Sequence, residues 1–235
     1  LEFRRVLFRS MQTLLIILFN AVLTSTILCL AERLNHNIPL GIKRSFCFRC
    51  QHQLSWYDLI PVISAILLHG HCRHCQFKFG MHYAHIELLG AIIGWSLFSD
   101  ITVWITAVLL FFLSCEDIYS HTIHIGVLYP WLIYLFMTSH FNQFEDKITV
   151  FCLVIPVCLC LVYRHKLGFG DIPILLCFIL INDSLIFAYT LLIATILGLT
   201  GLLFVNQARL PFVPYLLAGW LIANLGEKAI TYFVK

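Results

Sequence analysis

From Met11 to Leu30 the sequence reads MQTLLIILFNAVLTSTILCL, a stretch without one charged residue. It is as long as the ~20 residues an α-helix needs to cross a bilayer. Lipid offers no hydrogen-bond partners, so such a segment must satisfy its backbone internally, and a helix is the way a single stretch does so. Comparable apolar stretches recur at roughly 86–98, 101–115, 126–138, 148–163, 172–181, 185–205 and 211–232. Together they predict an all-α fold, a polytopic membrane helical bundle of about eight spans. Composition agrees: 11% of residues are charged, against roughly 25% in soluble domains, and mean hydropathy is +0.90. The net charge of +3 is small and spread over separate loops, so no nucleic-acid partner is expected.

Where the basic residues fall sets the orientation. If the first span runs inward, the cytoplasmic segments are 31–85, 116–125, 164–171 and 206–210, which collect Arg33, Lys43, Arg44, Arg49, Arg73, Lys78, Arg164, Lys166 and Arg209. The outer side keeps only Lys147, Lys228 and Lys235. The excess of inner charge selects this orientation. Residues 1–10, LEFRRVLFRS, carry Arg4, Arg5 and Arg9 on the wrong side and lack a methionine. They are expected to be a non-native segment. A cleaved signal peptide fits the first span poorly, because no basic n-region precedes Met11 once residues 1–10 are set aside and no small-residue cleavage site follows. The expected organisation is 1–10 foreign, 11–30 first span, 31–85 cytoplasmic loop and 86–233 membrane core.

The 31–85 loop is too long to be a connector. It holds CFRC at 47–50 and CRHC at 72–75, so Cys47, Cys50, Cys72 and Cys75 form C-x2-C-x21-C-x2-C. Two knuckles of this spacing complete a tetrahedral thiolate site for Zn²⁺, structural because it leaves no open position. Arg44, Arg49, Arg73 and Lys78 stand nearby to offset the thiolate charge. Two disulfides are the alternative, disfavoured in the cytoplasm. His69, His71 and His74 surround the second knuckle, but four sulfurs make the simpler ligand set. Cys29, Cys115, Cys152, Cys158, Cys160 and Cys177 lie in or beside apolar runs and are expected to pack as small hydrophobes. Between the knuckles, LSWYDLIPVISAILLHG is broken by Asp58 and Pro61, and it reads as an amphipathic helix on the bilayer surface or on the spans.

Acids at membrane depth need a use. Asp100, Glu145, Asp146, Asp183 and Glu227 fall on the outer side or near the C-terminus, where solvation accounts for them. Glu87, Glu116, Asp117 and Asp171 gather at the inner face. Asp171 follows Gly168-Phe169-Gly170 and opens an apolar run. One reading makes it a helix-dipole partner with glycines as loop punctuation. The other pairs it with a second carboxylate, the two sharing one proton and activating water as in aspartic proteases.

The order of these features resembles the type IV prepilin leader peptidase family: a first span, a two-knuckle loop with LSWYDLIPVIS, HYAHIELL, an aspartate after the third span and a GFGD turn. The likeness runs from Met11 to PFVPYLLAGW at 211–220. It implies that Asp117, in CEDIYS, and Asp171, in GFGD, are the catalytic pair cleaving leader peptides of prepilins or competence pseudopilins at the cytoplasmic face. It also implies possible N-methylation of the new terminus from S-adenosylmethionine, an activity tied to the cysteine loop. The chain departs from the family at His124 and Ile125, where a proline and a polar residue are usual. It departs again at Pro173 for lysine, at His165 for glutamate, and at Thr24 and Leu28 in the first span. These departures bear on methyl transfer more than on cleavage. The overall look is similar to the shorter competence-type enzymes of Gram-positive bacteria. The competing class is a membrane scaffold or transporter with a zinc module, for which the internal repeats of transporters are not evident.

Overall fold

The computed structural model describes residues 2–39, 44–138, 144–164, 167–204 and 210–234. Lys43, His165, Lys166, Arg209 and Lys235, used in the readings above, lie outside the described residues. The helices are α1 (Glu2–Asn35), α2 (Ile63–Leu67), α3 (His82–Leu97), α4 (Ile101–Ser120), α5 (Tyr129–Thr138), α6 (Phe144–Tyr163), α7 (Asp171–Ile181), α8 (Ser184–Phe204) and α9 (Phe212–Val234). Short 3₁₀ turns cover Trp56–Leu59 and Ile125–Val127. Among the described residues there is no sheet, only two isolated bridges in the cysteine loop. The chain is therefore an all-α membrane-type bundle carrying a small cysteine-bearing loop. All helices except the short α2 coincide with the eight apolar stretches. Among the described residues, four helices are long and apolar enough to cross a membrane: α1 over Arg9–Asn35, α4, α6 over Asp146–Tyr163, and α8.

The chain divides into two compact units, residues 1–104 and 105–235. In the first, α1 packs along α3. A Cβ on Gly90 would collide with the Thr24 side chain and one on Gly94 with Asn20. These small residues let the two backbones approach where lipid supplies no hydrophobic drive. Asn20, itself buried, accepts a hydrogen bond from Trp104 Nε1 at 2.8 Å, which satisfies a polar group within an apolar helix. At the other end the Tyr83 hydroxyl donates to Glu32.

The segment between the knuckles departs from the expected amphipathic helix. Pro61 lacks an amide hydrogen, and Val62 adopts φ 63°, ψ −53°. That conformation costs a β-branched residue energy. The backbone closes there in a tight turn, with Ile63 N–H donating to Pro61 O at 2.6 Å. Only a 3₁₀ turn and the single-turn α2 flank the break. Buried Glu87 of α3 holds it from the other side, accepting from Val62 N–H at 2.6 Å.

In the second unit α8 and α9 pack closely. A Cβ on Gly219 would sit 2.7 Å from Thr190 O and 2.8 Å from Ala194 N, so the approach is backbone to side-chain-free backbone. α7 lies against α5 and α6. Trp220 is fully buried; its indole donates to Asn182 at 3.2 Å and its ring lies 5.6 Å from that of Phe178. Lys147 Nζ donates to Leu180 O at 2.7 Å, placing a cation at the C-terminus of α7, where the helix dipole favours it.

Candidate active site and metal centre

The cysteine loop repeats one local structure twice. In the first knuckle Cys47 N–H donates to His52 O (3.0 Å) and Gln51 N–H to Cys47 O (2.8 Å). In the second, Cys72 N–H donates to Phe77 O (2.9 Å) and Gln76 N–H to Cys72 O (3.0 Å). Gln51 and Gln76, each one residue past the second cysteine of its knuckle, share left-handed backbones at φ 60° and 55°. The bridges Phe46 to Gln53 and His71 to Lys78 close the two turns. Each turn therefore aims two thiols inward.

The sulfurs of Cys47, Cys50, Cys72 and Cys75 lie within 4.8 Å of one another, with Cys47 Sγ 3.8 Å from Cys75 Sγ. A tetrahedron with metal–sulfur bonds of zinc length has edges of ~3.8 Å, so these four residues fit and can hold a metal ion. No two of the ten cysteines are bonded to one another in this structure. For Cys47, burial acts to raise the thiol, but the backbone N–H groups of Cys50 and Arg49 and the thiols of Cys72 and Cys50 outweigh it, and its pKa falls to about 7. For Cys75, the Phe77 backbone N–H acts to lower the thiol but is outweighed by burial and the other three sulfurs, and its pKa is pushed up to about 11. The neighbouring sulfurs thus act on one another's protonation, a repulsion that a divalent cation removes.

Two basic residues expected to offset the cluster are otherwise engaged. Arg73 forms an ion pair with Asp58 (2.9 Å) and stacks over Tyr57 at 4.8 Å. Arg49 lies over the Phe77 ring at 5.4 Å. The Asp58 pair thus ties the inter-knuckle segment to the second knuckle. Of the nearby histidines, His74 packs against His52 with ring centroids 3.5 Å apart and the rings tilted by 39°.

Two acids of the second unit, Asp117 and Asp171, are buried. Asp117, in the last turn of α4, is buried, and its Oδ2 accepts from Val213 N–H at the start of α9, 3.0 Å away. Asp171 begins α7 and is buried too. Its Oδ2 accepts from Gly168 N–H at 3.1 Å, so the glycine turn folds back onto the carboxylate that follows it. Glu116, one residue away on α4, points elsewhere, as a 100° step per residue requires, and accepts two hydrogen bonds from His124. Beside Asp117, Ile118, Leu197, Pro211, Pro214, Tyr215 and Ala218 line an open apolar hollow of about 380 Å³.

Reading the sequence missed three polar roles. Asp100, assigned to solvent, caps α4 by accepting from Thr102 and Val103 N–H; an aspartate one residue before an apolar run was the available signal. Glu87 as the partner of Val62, and Asn182 as that of Trp220, left no local signal.

The family model of the bacterial peptidase A24 N-terminal domain matches residues 18–101. A prepilin leader peptidase/N-methyltransferase of Vibrio cholerae is 40% identical over 67 residues, 28% of this chain and 26% of that protein. This chain thus spans about a quarter of that relative's length at the higher identity. Proteins of the same name from Legionella pneumophila and Aeromonas salmonicida are 23% and 24% identical over 84% and 87% of this chain, and 77% of each relative. No solved structure matches.

Proposed function

This chain belongs to the type IV prepilin leader peptidase family, and on that premise we propose that it is a membrane aspartic endopeptidase cleaving the leader peptides of prepilin-like substrates. Asp117 and Asp171 are the catalytic pair in this reading. The observation that carries it is that two carboxylates from helices far apart in sequence are both buried, and that the turn following Asp117 packs through Ile123 and Ile125 on Gly170, the residue before Asp171.

Two carboxylates at close range share one proton, because neither tolerates a second full charge beside it. The ionised member takes a proton from water as the water oxygen attacks the scissile carbonyl. The protonated member donates to the carbonyl oxygen, giving a tetrahedral diol. Collapse breaks the C–N bond, the leaving nitrogen takes a proton from the pair, and one leader acid and one mature amine result. No covalent enzyme intermediate is involved. The apolar hollow beside Ile118 would take side chains of the substrate's hydrophobic helix. The active face is cytoplasmic, following the charge asymmetry of the loops, and competence pseudopilins are the substrate class that the resemblance in sequence favours.

In the same reading the four-cysteine cluster holds a structural Zn²⁺: the sulfur spacing suits it, and four thiolates close the coordination shell. The methyl transfer in the relatives' names is proposed on those names alone. Among the described residues no side-chain cluster identifies itself as a holding site for S-adenosylmethionine.

The test is co-expression with a prepilin-like substrate and mass spectrometry of its mature N-terminus, which reports the cleavage position and any methyl group. Asp117→Asn and Asp171→Asn should each abolish processing while the protein accumulates in membranes. Normal processing by both variants would reject the pair.

A further inference from the structure

We propose that Glu116 is a positioning residue for the reaction: it clamps the turn after α4, and that turn packs on the glycine turn from which Asp171 projects. The inference rests on the Asp117–Asp171 reading above.

The Glu116 side chain is 3% exposed. Its Oε2 accepts from the backbone N–H of His124 at 2.9 Å and its Oε1 from His124 Nδ1 at 2.8 Å. One carboxylate therefore holds both the backbone and the ring of a residue eight positions onward. The segment between them reverses abruptly. His121 takes φ 52°, and its N–H bonds to Asp117 O at 3.1 Å. Ser120 Oγ donates to Glu116 O at 2.9 Å and pairs with Thr122 Oγ1 at 2.8 Å.

His124 stands at the centre of an inverse γ-turn, φ −82° and ψ 76°, closed by Ile125 N–H donating to Ile123 O at 3.1 Å. A three-residue turn with one bent hydrogen bond holds its shape weakly. The two bonds from Glu116 are what fix it here.

The turn reaches the other half of the pair through its isoleucines. A Cβ placed on Gly170 would lie 3.2 Å from Ile125 Cδ1 and 3.5 Å from Ile123 Cδ1. Gly170 thus lacks a side chain where the isoleucines press on it, and Asp171 follows immediately. The path Glu116, His124, Ile123 and Ile125, Gly170, Asp171 is continuous, and Asp117 is the residue beside its starting point. Glu116 touches neither carboxylate of the pair through its own hydrogen bonds. It holds in register the two segments that carry them.

The experiment measures kcat and KM of the full-length enzyme in membranes on a prepilin-like peptide. The variants are Glu116→Gln, Glu116→Ala and the double variant Glu116→Ala/His124→Pro, with Asp117→Asn and Asp171→Asn as controls. Glutamine keeps an oxygen for His124 N–H, so Glu116→Gln should retain kcat within about threefold. Alanine removes the clamp and should lower kcat by about ten- to a hundredfold at unchanged KM, the cost of a misplaced reacting group. Proline at 124 suits φ −82° and fixes the turn covalently, so the double variant should recover most of the loss.

The proposal is overturned if Glu116→Ala turns over at the wild-type rate, or if its loss is not recovered by His124→Pro. It is equally overturned if Glu116→Gln is as inactive as Asp117→Asn, which would make Glu116 a reacting acid. If Glu116→Ala fails to accumulate, the double variant decides: accumulation with activity supports the clamp, and failure of both rejects it. Activity in both control variants would reject the aspartate pair instead, a result separable from these.

Discussion

Asp117 Oδ2 accepts a hydrogen bond from Val213 N–H at 3.0 Å, across 96 positions of sequence. The end of α4 is thereby joined to the first turn of α9, and a carboxylate that the proposed reaction uses also meets an N–H that α9 cannot satisfy within itself. Asparagine would keep an oxygen for that bond and lose the ionisable group.

Folding and catalysis should therefore separate at this residue. Asp117→Asn is expected to accumulate at close to the wild-type level while processing falls below detection. Asp117→Leu should lose both, since the buried Val213 N–H then has no acceptor, at a cost of about 1–3 kcal/mol. Membrane abundance by blot, read beside substrate mobility, distinguishes the two.

The α8–α9 contact leaves no room at Gly219. A leucine there would drive its Cβ against Thr190 O and Ala194 N, which are backbone atoms that cannot swing away. Gly219→Leu is expected to destabilise the second unit by about 1–3 kcal/mol or more, seen as a lower midpoint in a thermal aggregation assay in detergent. An unchanged midpoint would contradict the packing.

Glu87→Ala should loosen the inter-knuckle turn. It leaves Val62 N–H without its 2.6 Å acceptor at a residue already held at φ 63°. Faster limited proteolysis between residues 55 and 70 is expected, with Glu87→Gln close to wild type because an amide oxygen can still accept.

One zinc ion per chain should be found by elemental analysis of the purified protein, and Cys47→Ser or Cys72→Ser should remove it. The bound state needs all four sulfurs as thiolates, whereas in the metal-free loop Cys75 holds its proton up to about pH 11 and Cys47 up to about 7. Protons therefore compete with the metal, and the stability the metal supplies is lost as pH falls. Metal release to a chromogenic chelator should rise as the pH is lowered from 8 to 5, and a pH-independent release would count against thiolate ligation.

Reading the chain as sequence was sufficient wherever the deciding interaction is local or is with the solvent. Apolar lengths such as Met11–Leu30 declare helices because in lipid a lone segment satisfies its backbone hydrogen bonds only within itself, as a helix does. Cysteines with two residues between them declare a knuckle because their reach to a common ion is set within four residues. The break at Pro61 was visible too, but a single proline could not tell a kinked amphipathic helix from a 3₁₀ turn followed by one α-turn.

The tertiary structure alone decided which polar groups meet. Asp100 and Asp171 look alike in sequence, acids at the edge of an apolar run, yet one caps α4 and the other is buried, accepting from Gly168 N–H in the turn before it. Glu116 and Asp117 are neighbours on one helix, yet one holds His124 and the other α9. Helical periodicity separates the directions of two such side chains but says nothing of what waits there. That depends on which helices pack together, and small residues such as Gly90 and Gly219 set the packing through contacts more than sixty and about twenty-five residues away in the chain.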